Sequence, residues 1–373
     1  MESDIIIIGG GAAGLMAAYG AASEFSGKGN PDKVTVLEKM PRPGRKIMLT
    51  GKGRCNFTNV KDWEDFSTHI RAGKSAVKHS FFNLTPEKMV DFINANGTET
   101  VVERGDRAFP ASYHAGDIVD TLVKASIKAG AEIITGTETA SVRVDETGEM
   151  FTLVDTNGRE YRCRKLIVAT GGLSYPATGS TGDGYIFAET LGHKTLETFP
   201  SLTALVPAGY KVTEKTSIGR IAAKALDGYG GFIEKKDHPD LPEDYPETKG
   251  HINRNLPLSS LGENLCGLHL KNVGLTVLEN GNAVETVTGD VDFTDGGLEG
   301  PVGFQVSRKA VKALMAGSKV SVSLDLKPAV ELEKLDKDVH DKWKEVLEDP
   351  RSKGVYFQKL FRIMLGKLLP WEV

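Results

Sequence analysis

The chain is poor in cysteine. Cys55, Cys163 and Cys266 are the only three in 373 residues, and they stand far apart. That spacing makes neither a disulfide framework nor a C-x-x-C redox pair. The eight histidines are scattered without metal-ligand spacing, so no metal is expected. No apolar run approaches the ~20 residues that a membrane-spanning helix needs. The opening Met1-Glu-Ser-Asp4 lacks the basic region of a signal peptide, and Ile5–Ile8 is too short for a signal core. Charge of one sign is also scarce: the net charge is −4. That balance leaves no electrostatic footprint for nucleic acid. The expected setting is the cytoplasm, with a small-molecule substrate and neither nucleic acid nor membrane as partner. Nothing in the sequence bears on oligomeric state.

What is present begins at the amino terminus. Four isoleucines behind Asp4 read as a strand buried on both faces. Gly9-Gly10-Gly11-Ala12-Ala13-Gly14 follows, which is G-x-G-x-x-G. Leu15, Ala18, Ala22 and Phe25 then share one helical face, and the glycines after Ser26 stop the helix. Val34–Leu37 is a second short apolar strand, ending at Glu38. Strand, glycine loop, helix, strand and acid in this order form a dinucleotide-binding fingerprint. Gly9 would permit the tight turn, Gly11 would let backbone meet a pyrophosphate, and Gly14 would let helix and strand pack. Glu38 would accept from ribose hydroxyls and repel a 2′-phosphate. Six residues after Glu38 a second glycine-bearing segment starts, Gly44–Asn59. Its cations and hydroxyls suit an anionic ligand, and its glycines allow close approach.

Further along, Thr85-Pro86 caps a helix to about Asn96, and Ala115–Ala129 is a second helix stopped by Gly130. Ala131–Ile134 reads as a strand. Hairpin strands are expected at Thr139–Val144, Met150–Asp155 and Glu160–Arg162, with a buried strand at Lys165–Ala169. A glycine-rich loop, Tyr175–Gly184, leads into a helix ending at Leu191, with Asp183 as its cap. After Pro200 short alternating stretches (Ala204–Pro207, Gly231–Glu234, Val320–Leu326) predict a β-rich domain. Asp237–Lys249 reads as an exposed excursion. Val330–Leu335, Asp338–Leu347 and Val355–Leu369 read as helices. The expected domains are 1–199, 200–327 and 328–373.

Thr50-Gly-Lys-Gly-Arg-Cys-Asn-Phe-Thr-Asn59, Ala169-Thr-Gly-Gly172 and Tyr175–Tyr185 carry a specific resemblance. Together they resemble the bacterial flavoproteins called NAD(P)/FAD-dependent oxidoreductases, the family that includes an aminoacetone oxidase and a bile-acid-operon flavoprotein. The match runs from residue 4 to about 193 and more loosely to about 306. The resemblance implies an α/β fold: a Rossmann-like, glutathione-reductase-like FAD domain with an inserted β-barrel-like domain and a small helical domain. It implies FAD as cofactor, held by Gly9, Gly11, Ala12, Ala13, Gly14, Glu38 and Lys39. Arg45, Lys46, Thr50, Gly51, Gly53, Arg54, Cys55 and Asn56 would line pyrophosphate, ribitol and flavin edge. Ala169, Thr170 and Gly171 would make the second contact.

Two departures stand out. Asp295 and Glu299 replace a histidine and a serine of the family's F-T-H-x-G-x-S-G-P motif. The family also closes its FAD domain with a C-terminal segment containing G-E and G-G-Y-N. This chain reads Trp371-Glu-Val373 where that would follow, so a missing closing segment is expected. The implied activity is flavin-mediated electron transfer between NAD(P)H or a small organic substrate and an acceptor. An amine oxidase using oxygen, and a non-catalytic flavin- or nucleotide-binding protein or inactive remnant, are the alternatives. Catalytic residues are not identified, and no second fingerprint is present for NAD(P)H.

Overall fold

A computed structural model describes residues 1–27, 33–70, 73–208, 210, 265–294 and 296–369. Gly231–Glu234, the excursion at Asp237–Lys249, Asp295 and Trp371 fall outside them. Among the described residues the chain forms two compact units, 1–196 and 197–369.

The first unit is built on a six-stranded mixed sheet. In chain order it starts with β1 (Glu2–Ile8), α1 (Ala12–Gly27) and β2 (Val34–Leu37). A 3-10 stretch follows at Ile47–Gly53, then β3 (Thr58–Asn59), α2 (Trp63–Thr68), α3 (Lys74–Asn83) and α4 (Pro86–Ala95). Next come β4 (Thr100–Glu103), β5 (Arg107–Pro110), α5 (Ala115–Ala129) and β6 (Ala131–Ile134). Strands β7 (Thr139–Val144), β8 (Phe151–Asp155) and β9 (Glu160–Val168) precede α6 (Asp183–Thr190). The sheet order is β6-β2-β1-β9-β8-β7. Strands β6, β2, β1 and β9 run parallel, while β9, β8 and β7 form an antiparallel meander.

The two-residue period of a strand sorts the isoleucines. Ile6 and Ile8 pack with Leu37, Leu153, Tyr161 and Cys163 on one face; Ile7 packs with Ala18, Ala22 and Val36 on the other. The expected strands at 160–162 and 165–169 are one continuous β9. It pairs antiparallel with β8 and parallel with β1, and that double pairing carries it through Arg162, Arg164 and Lys165. Of the α5 face that a helical period sets at Ile118, Leu122, Ala125 and Ala129, the first three are buried and Ala129 is half-buried, with Ala115 and Val119 beside them. Ser126 Oγ donates to the Leu15 carbonyl at 2.9 Å, tying α5 to α1. A separate sheet, β3-β5-β4, stands beside this core.

The second unit has a four-stranded antiparallel sheet. It comprises β10 (His269–Glu279), β11 (Asn282–Thr294), β12 (Gly297–Glu299) and β13 (Val320–Asp325), ordered β12-β11-β10-β13. Helix α7 (Gly300–Met315) lays Val302, Val306 and Ala310 against Leu275, Val291 and Phe293. Two further helices, α8 (Leu332–Glu348) and α9 (Phe357–Leu368), pack through Val346, Leu360 and Met364. None of the described helices is long and apolar enough to cross a membrane.

Candidate functional site

A cavity of about 750 Å³ opens at the carboxyl ends of β1, β2 and β9. That volume falls within the roughly 300–1,000 Å³ of cofactor and small-molecule sites, at the edge where open α/β sheets bind ligands.

The glycine loop after β1 makes one wall. Gly9 has φ +102°, and a Cβ there would sit 2.5 Å from the Ala169 carbonyl oxygen. Gly14 is tighter still, its absent Cβ falling 1.8 Å from the Gly9 carbonyl oxygen. Gly11 differs: a Cβ there meets no atom within 4 Å, and the residue lines the cavity. Helix α1 begins at once, its first turn closed by Leu15 N–H to Gly11 O at 2.9 Å. Its start therefore presents free backbone N–H groups and the positive end of its dipole.

Glu38 is 8% exposed. Its carboxylate accepts from the Gly10 N–H at 2.6 Å through Oε2 and from the Met40 N–H at 2.7 Å through Oε1. Two charge-assisted bonds from backbone fix the acid at the β2 end, and a carboxylate retains lone pairs for a further donor. Lys39 points along the same wall. Its Nζ donates to Thr181 Oγ1 at 2.6 Å and to Asp183 Oδ2 at 2.7 Å. This bridges the β2 end to the 175–184 loop.

Asp183 thus departs from the capping role expected of it. Gly182 occupies the N-cap of α6, and the Asp183 side chain serves Lys39 and Thr181 instead. Burial pushes the Asp183 carboxyl up. The bonds from Lys39 and Thr181 and the lysine's charge outweigh it and hold the group below the usual range. A depressed carboxyl stabilises the fold above its unfolded pKa and loses that contribution as pH falls through the folded value. Asp183→Asn should therefore lower the melting temperature by ~2–4 °C near neutrality, about 1 kcal/mol for a half-buried pair. The gap between parent and variant should close as pH drops below ~4, the unfolded carboxyl value. A gap that stays constant across a pH series of melts would refute the ion-pair account.

The second glycine segment is docked on the first: Gly44 N–H donates to the Gly10 carbonyl at 2.9 Å. It places Arg45, Lys46 and Thr50 on the cavity wall. Burial lowers the Lys46 ammonium pKa. Opposite, Ala169, Thr170 and Gly171 line the wall at the β9 end, and Gly171 has φ +77°.

The structure therefore gathers Gly9, Gly11, Ala12, Ala13, Glu38, Lys39, Arg45, Lys46, Thr50, Ala169, Thr170 and Gly171 around one cavity. Gly14, Gly51, Gly53, Arg54, Cys55 and Asn56 do not line it. Gly14 is a packing residue. Cys55, 2% exposed with φ +57°, sits in the apolar cluster of Leu15, Ile47, Ile93 and Leu122. Burial pushes its thiol up, against a smaller lowering by Thr50, which disfavours a reactive thiolate. Cys163, in the sheet core, is pushed up by burial to about 11. The Asn56 amide, oriented to donate, reaches the Thr58 and Ala108 carbonyls at 2.9 and 3.3 Å. Of the 175–184 loop, Thr178, Gly179, Ser180, Asp183 and Gly184 line the cavity and Tyr175 does not.

Sequence reading missed Arg42, Thr137 and Thr139 on this wall. A signal for Thr137 existed: Gly136-Thr137 follows the strand expected at Ala131–Ile134, which pairs parallel with β2.

A glycine loop after β1, an acid at the β2 end and a cationic second loop around one cavity define a Rossmann-type dinucleotide-binding domain. The chain belongs to the family described as HI0933-like protein Rossmann domain, whose model matches residues 3–317. It is 35% identical over 204 residues to a ribosomal RNA dihydrouridine synthase of Escherichia coli (strain K12), across 55% of this chain and 47% of that one. It is 25% identical over 325 residues to a 3-dehydro-bile acid delta(4,6)-reductase of Clostridium scindens, across 87% of this chain and 64% of the relative. The chain thus spans about half to two thirds of these relatives' lengths. Among solved structures, a 3-ketosteroid-delta4-(5alpha)-dehydrogenase from Rhodococcus jostii RHA1 shares 16% identity with a TM-score of 0.38, covering 60% of this chain and 64% of that one.

Proposed function

We propose that this chain is an FAD-dependent oxidoreductase acting as a reductase of an activated carbon–carbon double bond. The observation that carries it is Gly11, whose missing side chain leaves open space in a cavity otherwise walled by close contacts. Backbone can meet a diphosphate there, and the cavity's residues fit the rest of FAD. Gly9, Gly11, Ala12 and Ala13, with the start of α1, would hold the pyrophosphate. Glu38 would take the adenosine ribose hydroxyls. Lys39, Arg45 and Lys46 would offset the diphosphate charge, with Lys39 itself held by Asp183. Thr50, Ala169, Thr170 and Gly171 would close the remaining wall. Gly14, Gly51, Gly53, Cys55 and Asn56 would support that wall from behind.

When bound, FAD would supply a two-electron hydride carrier; the protein orients it and keeps water away. The double-bond acceptor draws support from two relatives' names, a delta(4,6)-reductase and a dihydrouridine synthase, since each denotes hydrogen added to an unsaturated ring. The donor we propose is NAD(P)H, bound transiently. The acid at position 38 disfavours a 2′-phosphate within this cavity.

Anaerobic stopped-flow on the FAD-reconstituted chain tests the reading. NADH or NADPH should bleach the flavin, and a conjugated enone should restore its colour. Bleaching by aminoacetone but not by a nicotinamide would transfer the assignment to an amine oxidase. A purified, reconstituted chain without flavin absorbance would remove both.

A further inference from the structure

Outside the cavity, the end of the 50–56 loop and the start of β5 converge. Arg54 ends the 50–56 loop, and Arg107 opens β5 as the first residue of Arg-Ala-Phe-Pro110. Both guanidinium groups lie over one ring. The Arg54 Cζ is 5.1 Å from the Phe109 centroid and the Arg107 Cζ is 5.8 Å from it. Arg54 also reaches Tyr113, at 5.8 Å. Phe109 is 1% exposed, so the two guanidinium groups cover a buried ring with one face while both residues remain exposed to solvent.

The charge count around the pair is uneven. Glu103 is the neighbouring acid, 3.6 Å from Arg107 Nη2, and it also accepts from the Tyr113 hydroxyl at 2.9 Å. Asp106, in the intervening turn, forms no ion pair with either arginine. Arg107 therefore pairs with a carboxylate already engaged by Tyr113, and among the described residues Arg54 has no ion-pair partner; its Nε donates to the Gly51 carbonyl at 3.4 Å. Packing alone does not call for two like charges on a single ring. Stacked guanidinium groups keep their outer N–H edges for planar oxyanions, in a bidentate geometry. Tyr113 holds its backbone at φ +55°, a conformation uncommon for a non-glycine residue, and this places its ring beside Phe109 at 5.9 Å.

We propose that Arg54 and Arg107, seated on Phe109 and flanked by Tyr113, form an oxyanion-binding site for a carboxylate or phosphate group. The site does not depend on the flavin reading, because none of these four residues lines the cavity. It lies four residues beyond Thr50, which does. This chemistry has two possible sources: a small acidic substrate or the phosphodiester backbone of a nucleic acid.

Phenylglyoxal modification of arginine in the full chain, mapped by peptide mass spectrometry, tests the proposal residue by residue. Millimolar inorganic phosphate should slow modification of Arg54 and Arg107 together, by about threefold or more. Arg107→Gln removes the guanidinium charge and keeps a polar side chain. It removes an exposed pair with Glu103 and a bond to the Arg104 carbonyl, so it should lower the melting temperature by no more than ~2–4 °C, and it should abolish phosphate protection of Arg54. Phosphate and acetate acting at comparable concentrations would assign a small oxyanion. A short single-stranded oligonucleotide acting at far lower concentration would assign a phosphodiester backbone. Protection confined to Arg42 and Arg45, or protection of Arg54 that survives in Arg107→Gln, overturns the proposal.

Discussion

Gly11→Val should leave the chain folded and empty of flavin. The variant is a sharp probe because its two effects separate. Gly11 does not have a positive φ, so valine meets no backbone penalty of the left-handed kind. Its Cβ enters space with no protein atom within 4 Å, so the unliganded fold should lose no more than ~1 kcal/mol. That same space is where a pyrophosphate would lie against the start of α1. A branched side chain there should cut FAD affinity by at least ~100-fold, a loss of about 2.7 kcal/mol or more. Melting curves and flavin fluorescence titration on one preparation read both effects. Unchanged flavin content in a folded variant would show the cavity has been assigned to the wrong ligand.

Gly14→Ala, three residues away, should do the reverse. A single methyl would fall 1.8 Å from the Gly9 carbonyl oxygen, and backbone cannot yield as a flexible side chain can. Either the loop or the helix must move. The expected cost is above ~3 kcal/mol, a drop of roughly 6–12 °C in melting temperature for a unit of this size. Loss of soluble protein is the extreme of the same outcome. A variant that melts within a degree or two of the parent would contradict the close packing of α1 on β1. One motif thus contains a glycine kept for the ligand and a glycine kept for the fold.

The first sixty residues were largely readable in advance for a local reason. Each β1–α1–β2 signal is contained in a few neighbours: an isoleucine run, three spaced glycines, a 3.6-residue apolar face and a terminal acid. The second unit hid more. Helix α7 begins Gly300-Pro301, a pair that reads as a turn, although Val302, Val306, Ala310 and Ala313 carry the helical period behind it. The β10–β11 hairpin also had its marker, Asn280-Gly281, both at positive φ as a tight hairpin turn demands. The site was legible where chemistry is written in one segment and obscure where packing decides. Cys55 belonged to a promising loop, yet Leu15, Ile93 and Leu122, distant in sequence, draw it into the core. Lys39 and Asp183 meet across 144 positions, and no spacing rule announces that.

The central strand β1 has a history as well as a place. One of its partners, β2, follows within about thirty residues; the other, β9, pairs Ile5 with Lys165 and Ile8 with Val168. A ribosome adding ~5–20 residues per second leaves that edge open for roughly 8–30 s before β9 can emerge. Throughout that interval a flat row of isoleucines presents unpaired backbone, the template on which copies of a chain join edge to edge. The strand that anchors the cavity is, during synthesis, a segment that a chaperone would shield.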